Sequence, residues 1–185
     1  MARYKTEHKE QTRERIIDAA GRCFKKNGFS GIGVDGLAKE AGVTSGAFYG
    51  HFTSKNTAFN AAVEAGMEEL LDGVSQFKEQ HGNNWWSEFA EFYMGQKRTC
   101  DLADGCALQT LTPEVGRADE SVKTTFESEL LKVVKAATGS DKQKKVDKTW
   151  AKLAMLAGGV TLARAVNDEK LAMEIAQAIK KAVND

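Results

Sequence analysis

Apolar positions return every three or four residues along nearly the whole chain, the period of helices packed by one face. Ile16, Ile17, Ala20, Cys23 and Phe24 form the first such stripe and predict a helix from about Lys9 to Asn27, after a loose polar arm over residues 1–8. Gly28 ends it. Between Val34 and His51 the spacing predicts two short helices around a tight turn: Leu37, Ala38 and Ala41 inward on the first, Phe48 inward on the second. Gly33 falls at the N-cap of the first helix, and Gly42 sits where a left-handed residue ends it at little steric cost. Thr44 or Ser45 supplies a hydroxyl to cap the second. Two short helices joined this way form a helix-turn-helix, whose second member fits a DNA major groove.

Ser54 then caps a long helix with Phe59, Val63, Met67, Leu70, Val74 and Phe77 on one stripe. Unbroken to about Gln80, it is ~40 Å long and leads out of the head into the rest of the chain. Five further helices follow. Trp85, Trp86, Phe89, Phe92 and Tyr93 crowd one side of the first, beyond a polar break at 81–84. A break over Asp101–Gly105 precedes a shorter piece in which Thr112 caps and Pro113 takes the first turn. Asp119 caps a helix with Val122, Phe126, Leu130, Val133 and Val134 inward, and Gly139-Ser140-Asp141 stops it. Closing helices are expected over Gln143–Val166 and Asp168–Val183. The expected fold is all-α: a three-helix head with a helix-turn-helix over residues 1–60, joined by one long helix to a helical body over residues 61–185.

Composition agrees with helix. Pro113 is the one proline, and eight of the seventeen glycines lie in the first 50 residues, where turns are expected. The formal net charge is zero, but residues 1–60 carry ten Lys/Arg against six Asp/Glu, and the remainder carries sixteen against twenty. A basic head on an acidic body suits a DNA reader with a separate non-DNA domain. Cys23, Cys100 and Cys106 have no metal-ligand spacing and no even pairing, which with no signal peptide points to a reducing cytoplasm. The uncharged run Leu153–Ala163 is far short of the ~20 residues that span a bilayer. No set of residues supports catalysis, a metal or a cofactor; His8, His51 and His81 lie in the arm, the DNA motif and a polar loop.

Gly28-Phe29, Ala41-Gly42-Val43-Thr44, Phe48-Tyr49, His51-Phe52 and Ser54-Lys55 stand in an arrangement that closely resembles the DNA-binding head of the TetR family of bacterial repressors. The resemblance implies a homodimer with its two heads in successive major grooves of a palindromic operator. It further implies phosphate or base contacts from Thr44 and Tyr49, and backbone contacts from His51 and Lys55. Ser45, Gly46 and Ala47 then face the groove floor, where small residues read thymine methyls or leave room for water. Gly36 and Gly50 stand where the family more often has side chains, so the recognition helix is short or ordered only on DNA. Asn56 replaces the usual acidic residue after Lys55, at some cost to the helix N-terminus.

In the body, the aromatic cluster Trp85, Trp86, Phe89, Phe92 and Tyr93 is either core or, as the resemblance supports, the wall of an apolar ligand cavity. Met67, Leu70, Met94, Cys106 and Leu108 would complete that cavity. Cys106 follows Gly105 at a helix start, where backbone amides favour a thiolate, with Cys100 as a resolving partner; the plainer reading is a small buried hydrophobe. Ala154, Gly158, Thr161 and Ala165 form a stripe of small residues, and Leu171, Ile175, Ile179 and Val183 an aliphatic one. Two such helices from each subunit build a four-helix dimer seam, or they close the monomer core. The function expected is a cytoplasmic, nucleoid-associated repressor that binds its operator as a homodimer and is released by an unidentified small molecule. The alternative is a DNA-binding regulator switched by oxidants or electrophiles at Cys106, or by a protein partner. Neither the effector nor the operator sequence is legible.

Overall fold

The computed structural model describes residues 2–139 and 143–185, all of whose regular structure is helical. The first helix, α1 (Ala2–Asn27), begins seven residues before the expected start, so the polar arm is helical. Gly28, at φ +71°, turns the chain out of it. The helices α2 (Val34–Glu40) and α3 (Ser45–Tyr49) form the helix-turn-helix. Gly42 takes the left-handed turn at φ +66°, and the Thr44 side chain caps α3 by accepting from the Ala47 amide.

The long helix α4 (Lys55–His81) runs unbroken. Its start is fixed by a capping box in which Ser54 Oγ accepts from the Thr57 amide and Thr57 Oγ1 accepts from the Ser54 amide, both at 3.1 Å. Around α4 the body comprises α5 (Trp85–Phe92), α6 (Ala107–Thr110), α7 (Thr112–Arg117), α8 (Glu120–Thr138), α9 (Gln143–Arg164) and α10 (Glu169–Asn184). Asp119 caps α8, as the pattern predicts. Thr112 does not cap: it lies inside α7 with its hydroxyl donating to Leu108 O, and Leu111 takes the N-cap. The stop after α8 is a left-handed Gly139; Ser140 and Asp141 lie outside the described residues.

One continuous core joins head and body. In the head, Phe24, Phe29 and Phe59 meet with ring centroids 5.0–5.8 Å apart, locking α1 and the following loop onto the start of α4. In the body, α4 packs along α8 and against α5 and α6, while α9 and α10 pair with each other. Gly66 permits the approach of α6, since a Cβ there would stand 2.7 Å from the Ala107 Cβ.

Polar ties also link the parts. Asn56, at the head end of α4, donates to Asp119 Oδ2 at 2.5 Å and so holds the start of α8. The segment between α5 and α6 is grasped from both sides. Arg22 of α1 bonds Asp104 Oδ1 at 2.5 Å, and Arg164 of α9 donates to the carbonyls of Lys97 and Cys100 at 2.7 Å.

Candidate DNA interface and ligand cavity

The recognition helix is five residues long, too short to stand without support, so its rigidity comes from beneath. Phe48 is fully buried and packs on Phe52, over which the Arg13 guanidinium of α1 lies 5.2 Å from the ring centroid. With that anchor inside, Thr44, Gly46, Ala47 and Tyr49 are turned outward, Tyr49 at 56% exposure with its ring edge-on to Phe48. Ser45 is half-buried instead, its hydroxyl donating to Asp35 Oδ1 at 2.5 Å to tie α3 to α2. Gly50 forms the C-cap of α3. Gly36 has a packing reason, because a Cβ there would meet Ile32 Cγ1 at 2.8 Å.

Two predicted contact residues carry other duties in the free protein. The Lys55 ammonium donates to the carbonyls of Phe29 and Ile32 at 2.9 and 3.2 Å and lies 4.2 Å from the Phe29 ring centroid. It thereby closes the loop between α1 and α2. His51 is half-buried, and its pKa is lowered first by burial and then by the charges of Lys9 and Arg13. The imidazole is held neutral by neighbours that share the same basic surface.

In the body, a cavity of about 470 Å³ lies between α4, α5 and the segment that follows. Of the ten residues expected to line it, Leu70, Phe89, Phe92, Tyr93 and Cys106 do. Met67 and Met94 are closed into the core, and Leu108 packs half-buried against it. Trp85 and Trp86 stack on each other at 4.1 Å and turn to a different cleft, under Lys78 and Lys152. The sequence reading missed the α4 side of the cavity, where Gly66, Glu69, Gly73, Gln76 and Phe77 share one face, and it missed Lys97 and Ala107. The signal existed: the same i, i+3, i+4, i+7 spacing, one step around from the core stripe, marked by two glycines a double turn apart.

Tyr93 and Lys97 bound a π-turn that prolongs α5, a distortion often found beside functional sites. The Tyr93 side chain is 2% exposed; its hydroxyl lies beside Cys106 yet makes no well-formed hydrogen bond. Burial pushes the Tyr93 phenol well up. Cys106 corrects the thiolate expectation. The amides of Leu108 and Gln109 do favour its thiolate, but burial outweighs them and the pKa is raised. Cys100, the suggested resolving partner, receives Arg164 Nη2 at its sulfur at 3.3 Å.

The expected dimer residues divide. Ala154, Gly158 and Thr161 are exposed along α9 and Ala165 just beyond its end, and Leu171 is 42% exposed on α10. Ile175 is half-buried. Ile179 turns inward over Gly159, where a Cβ would stand 2.7 Å from its Cγ1, and Val183 is fully buried. The lower part of the aliphatic stripe therefore closes the monomer core.

The head matches the sequence model of the bacterial regulatory proteins, tetR family, over residues 16–62. It is 41% identical over 70 residues to the HTH-type transcriptional regulator SrpR of Pseudomonas putida, covering 38% of this chain and 33% of that protein. It is 42% identical over 60 residues to the HTH-type transcriptional regulator AcrR of Shigella flexneri, covering 32% of this chain and 28% of that protein. The matched stretch thus spans about a third of these relatives' length. Across 92% of this chain and 97% of the other, the fold superposes on the reduced form of E. coli NemR with a TM-score of 0.75 at 18% identity. Over residues 16–62 the head is similar to those of the bacterial regulatory proteins of the tetR family, and the fold that carries it is like that of the solved NemR.

Proposed function

We propose that the chain is a ligand-responsive transcriptional repressor, with a DNA-reading head over residues 1–60 and a ligand-binding, dimerising body over residues 61–185. The carrying observation is α3: a short helix whose buried Phe48 fixes it while Thr44, Ala47 and Tyr49 face outward from a head of the tetR family. Thr44 and Tyr49 reach phosphates, and Gly46 and Ala47 leave the groove floor open to thymine methyls. Ser45 acts through Asp35 to set the angle between the two short helices. Once DNA phosphates approach, His51 and the remaining proton of Lys55 add backbone contacts.

Two such heads reach successive major grooves, ~34 Å apart, when the exposed small faces of α9 and α10 pair with those of a second copy. A small molecule in the α4–α5 cavity favours one body conformation, shifts the long helix and changes that spacing, so ligand and operator weaken each other's binding. The cysteine-switched alternative needs thiolate chemistry that the burial of Cys106 opposes.

The deciding experiment is selection from a random double-stranded DNA library, followed by titration of the winner at several salt concentrations. A palindromic winner, bound by a dimer with affinity falling steeply in salt and lost in Tyr49→Ala, carries the proposal. No enrichment by a folded, dimeric protein overturns it.

A further inference from the structure

The cavity between α4 and α5 has two unlike walls. On α4, the place beside Gly66 is taken by Ala107, but nothing lies within 4 Å of where a side chain at Gly73 would begin. The helix there offers bare backbone. Facing it are the rings of Phe89, Phe92 and Tyr93, with Phe77 set across one side at centroid distances of 5.3 and 5.2 Å from Phe89 and Phe92. Bare backbone at Gly73, between Leu70 and Phe77 and opposite flat rings, makes this part of the cavity a slot, which admits a flat molecule more readily than a bulky one.

The polar groups of the slot are sorted by depth. Its inner end holds the Tyr93 hydroxyl, buried and without a partner, beside the buried Cys106 thiol. Both remain protonated and offer neutral donors to whatever oxygen arrives. Lys25 and Lys97, the cations nearest the slot, both face Glu69, so an arriving carboxylate would have to displace that pairing to be compensated. The carboxylates lie toward the rim, where Asp72 and Glu69 are exposed and Glu69 stands 3.7 Å from Lys25 and 4.0 Å from Lys97. An unmet donor in a buried site is costly, and a ligand acceptor removes that cost.

We infer that this slot takes an uncharged, planar aromatic molecule whose carbonyl or similar oxygen accepts from the Tyr93 hydroxyl while its ring lies on the backbone of α4 at Gly73. This names the class of effector, and as an effector site it rests on the regulator proposed above.

The test is calorimetric titration of the full chain with three probes of one shape: 2-acetylnaphthalene, 2-ethylnaphthalene and 2-naphthoate. The ketone binds tightest, and the other two are weaker by about tenfold or more. Tyr93→Phe abolishes the advantage of the ketone over the ethyl compound and leaves the ethyl compound's own affinity in place. Gly73→Leu removes binding of all three without lowering the melting temperature, and Gly73→Ala does so in part should the larger residue perturb the fold. Equal affinity for ketone and ethyl compound, preference for the naphthoate, unimpaired binding by both Gly73 variants, or no binding by any probe at about 100 μM overturns the inference. Operator titration with the ketone present separates the two claims: tight ketone binding with unchanged operator affinity leaves the slot standing and sinks the effector role.

Discussion

His51 sits in the head with its pKa lowered by burial and by Lys9 and Arg13, so in the free protein it is neutral near pH 7. Phosphates arriving at the same surface reverse the repulsion and favour the imidazolium, so operator binding takes up a proton. Affinity therefore rises as pH falls from about 8 to 6, and His51→Gln flattens that dependence; equal slopes for both proteins would show that His51 does not meet the backbone. Asn56 is read from sequence as a lost charge at a helix start, yet its amide holds the carboxylate that caps α8. The Asp119 pKa is lowered first by Ser121, then by the Val122 amide, with Asn56 contributing. Asn56→Asp sets two carboxylates against each other. Its melting temperature falls by a few degrees at pH 7, and the deficit shrinks as acid protonates the pair. A depressed carboxylate supplies stability that is lost as pH falls through its folded pKa, so wild type loses ground toward acid while the variant has less to lose. The residue types at 45, 55 and 56 were legible, but their partners were not: Asp35, Phe29, Ile32 and Asp119 lie 10 to 63 positions away along the chain.

At the scale of elements, what could be read was whatever carries its own signal. The long stripes of α4, α8 and α9 and the caps at Thr44, Ser54 and Asp119 are local, so pattern and hydroxyl chemistry locate them. The π-turn at Tyr93–Lys97 packs against α9 and α10, the four-residue α6 against α4 and α9, and α7 against α6 and α8, contacts that no local period reports. The Trp85–Trp86 pair misled for the same reason: the two rings stack on each other, and only the neighbouring Lys78 and Lys152 show which cleft they turn to. Elements built by contact should fail by contact. Gly66→Val drives a side chain into Ala107 and costs about 1–3 kcal/mol, measured by urea unfolding. It should also widen or close the adjoining cavity, changing probe affinity, whereas Gly73→Ala meets open space and gains helix propensity. Ser54→Ala removes one limb of the capping box and costs about 1 kcal/mol, with the unfolding midpoint as its measure.

For the molecule as a whole, the outstanding feature is an apolar face left exposed among the described residues. Trp150, Leu162, Leu171 and Met173 are 38–60% exposed on α9 and α10, beside the exposed Ala154, Gly158, Thr161 and Ala165. Small residues let two helices approach closely, and the larger ones supply the area that holds them there. Since Leu162 is 60% exposed in the single chain, replacing it by Glu costs the isolated fold only about 0.5 kcal/mol or less. In a four-helix seam the same change buries two unpaired carboxylates across a symmetry axis, and the dimer does not survive it. Leu162→Glu is therefore expected to sediment as a monomer with an unchanged helical circular dichroism spectrum. Wild type should melt at higher temperature as its concentration rises, because association stabilises the folded form by mass action, and the variant should not. A single head loses the gain of binding two half-sites at once, so operator affinity falls by about a hundredfold or more while the residual binding stays salt-dependent. A variant that remained dimeric would place the interface elsewhere, and the spacing of the two heads would then have to be set by another face of the body.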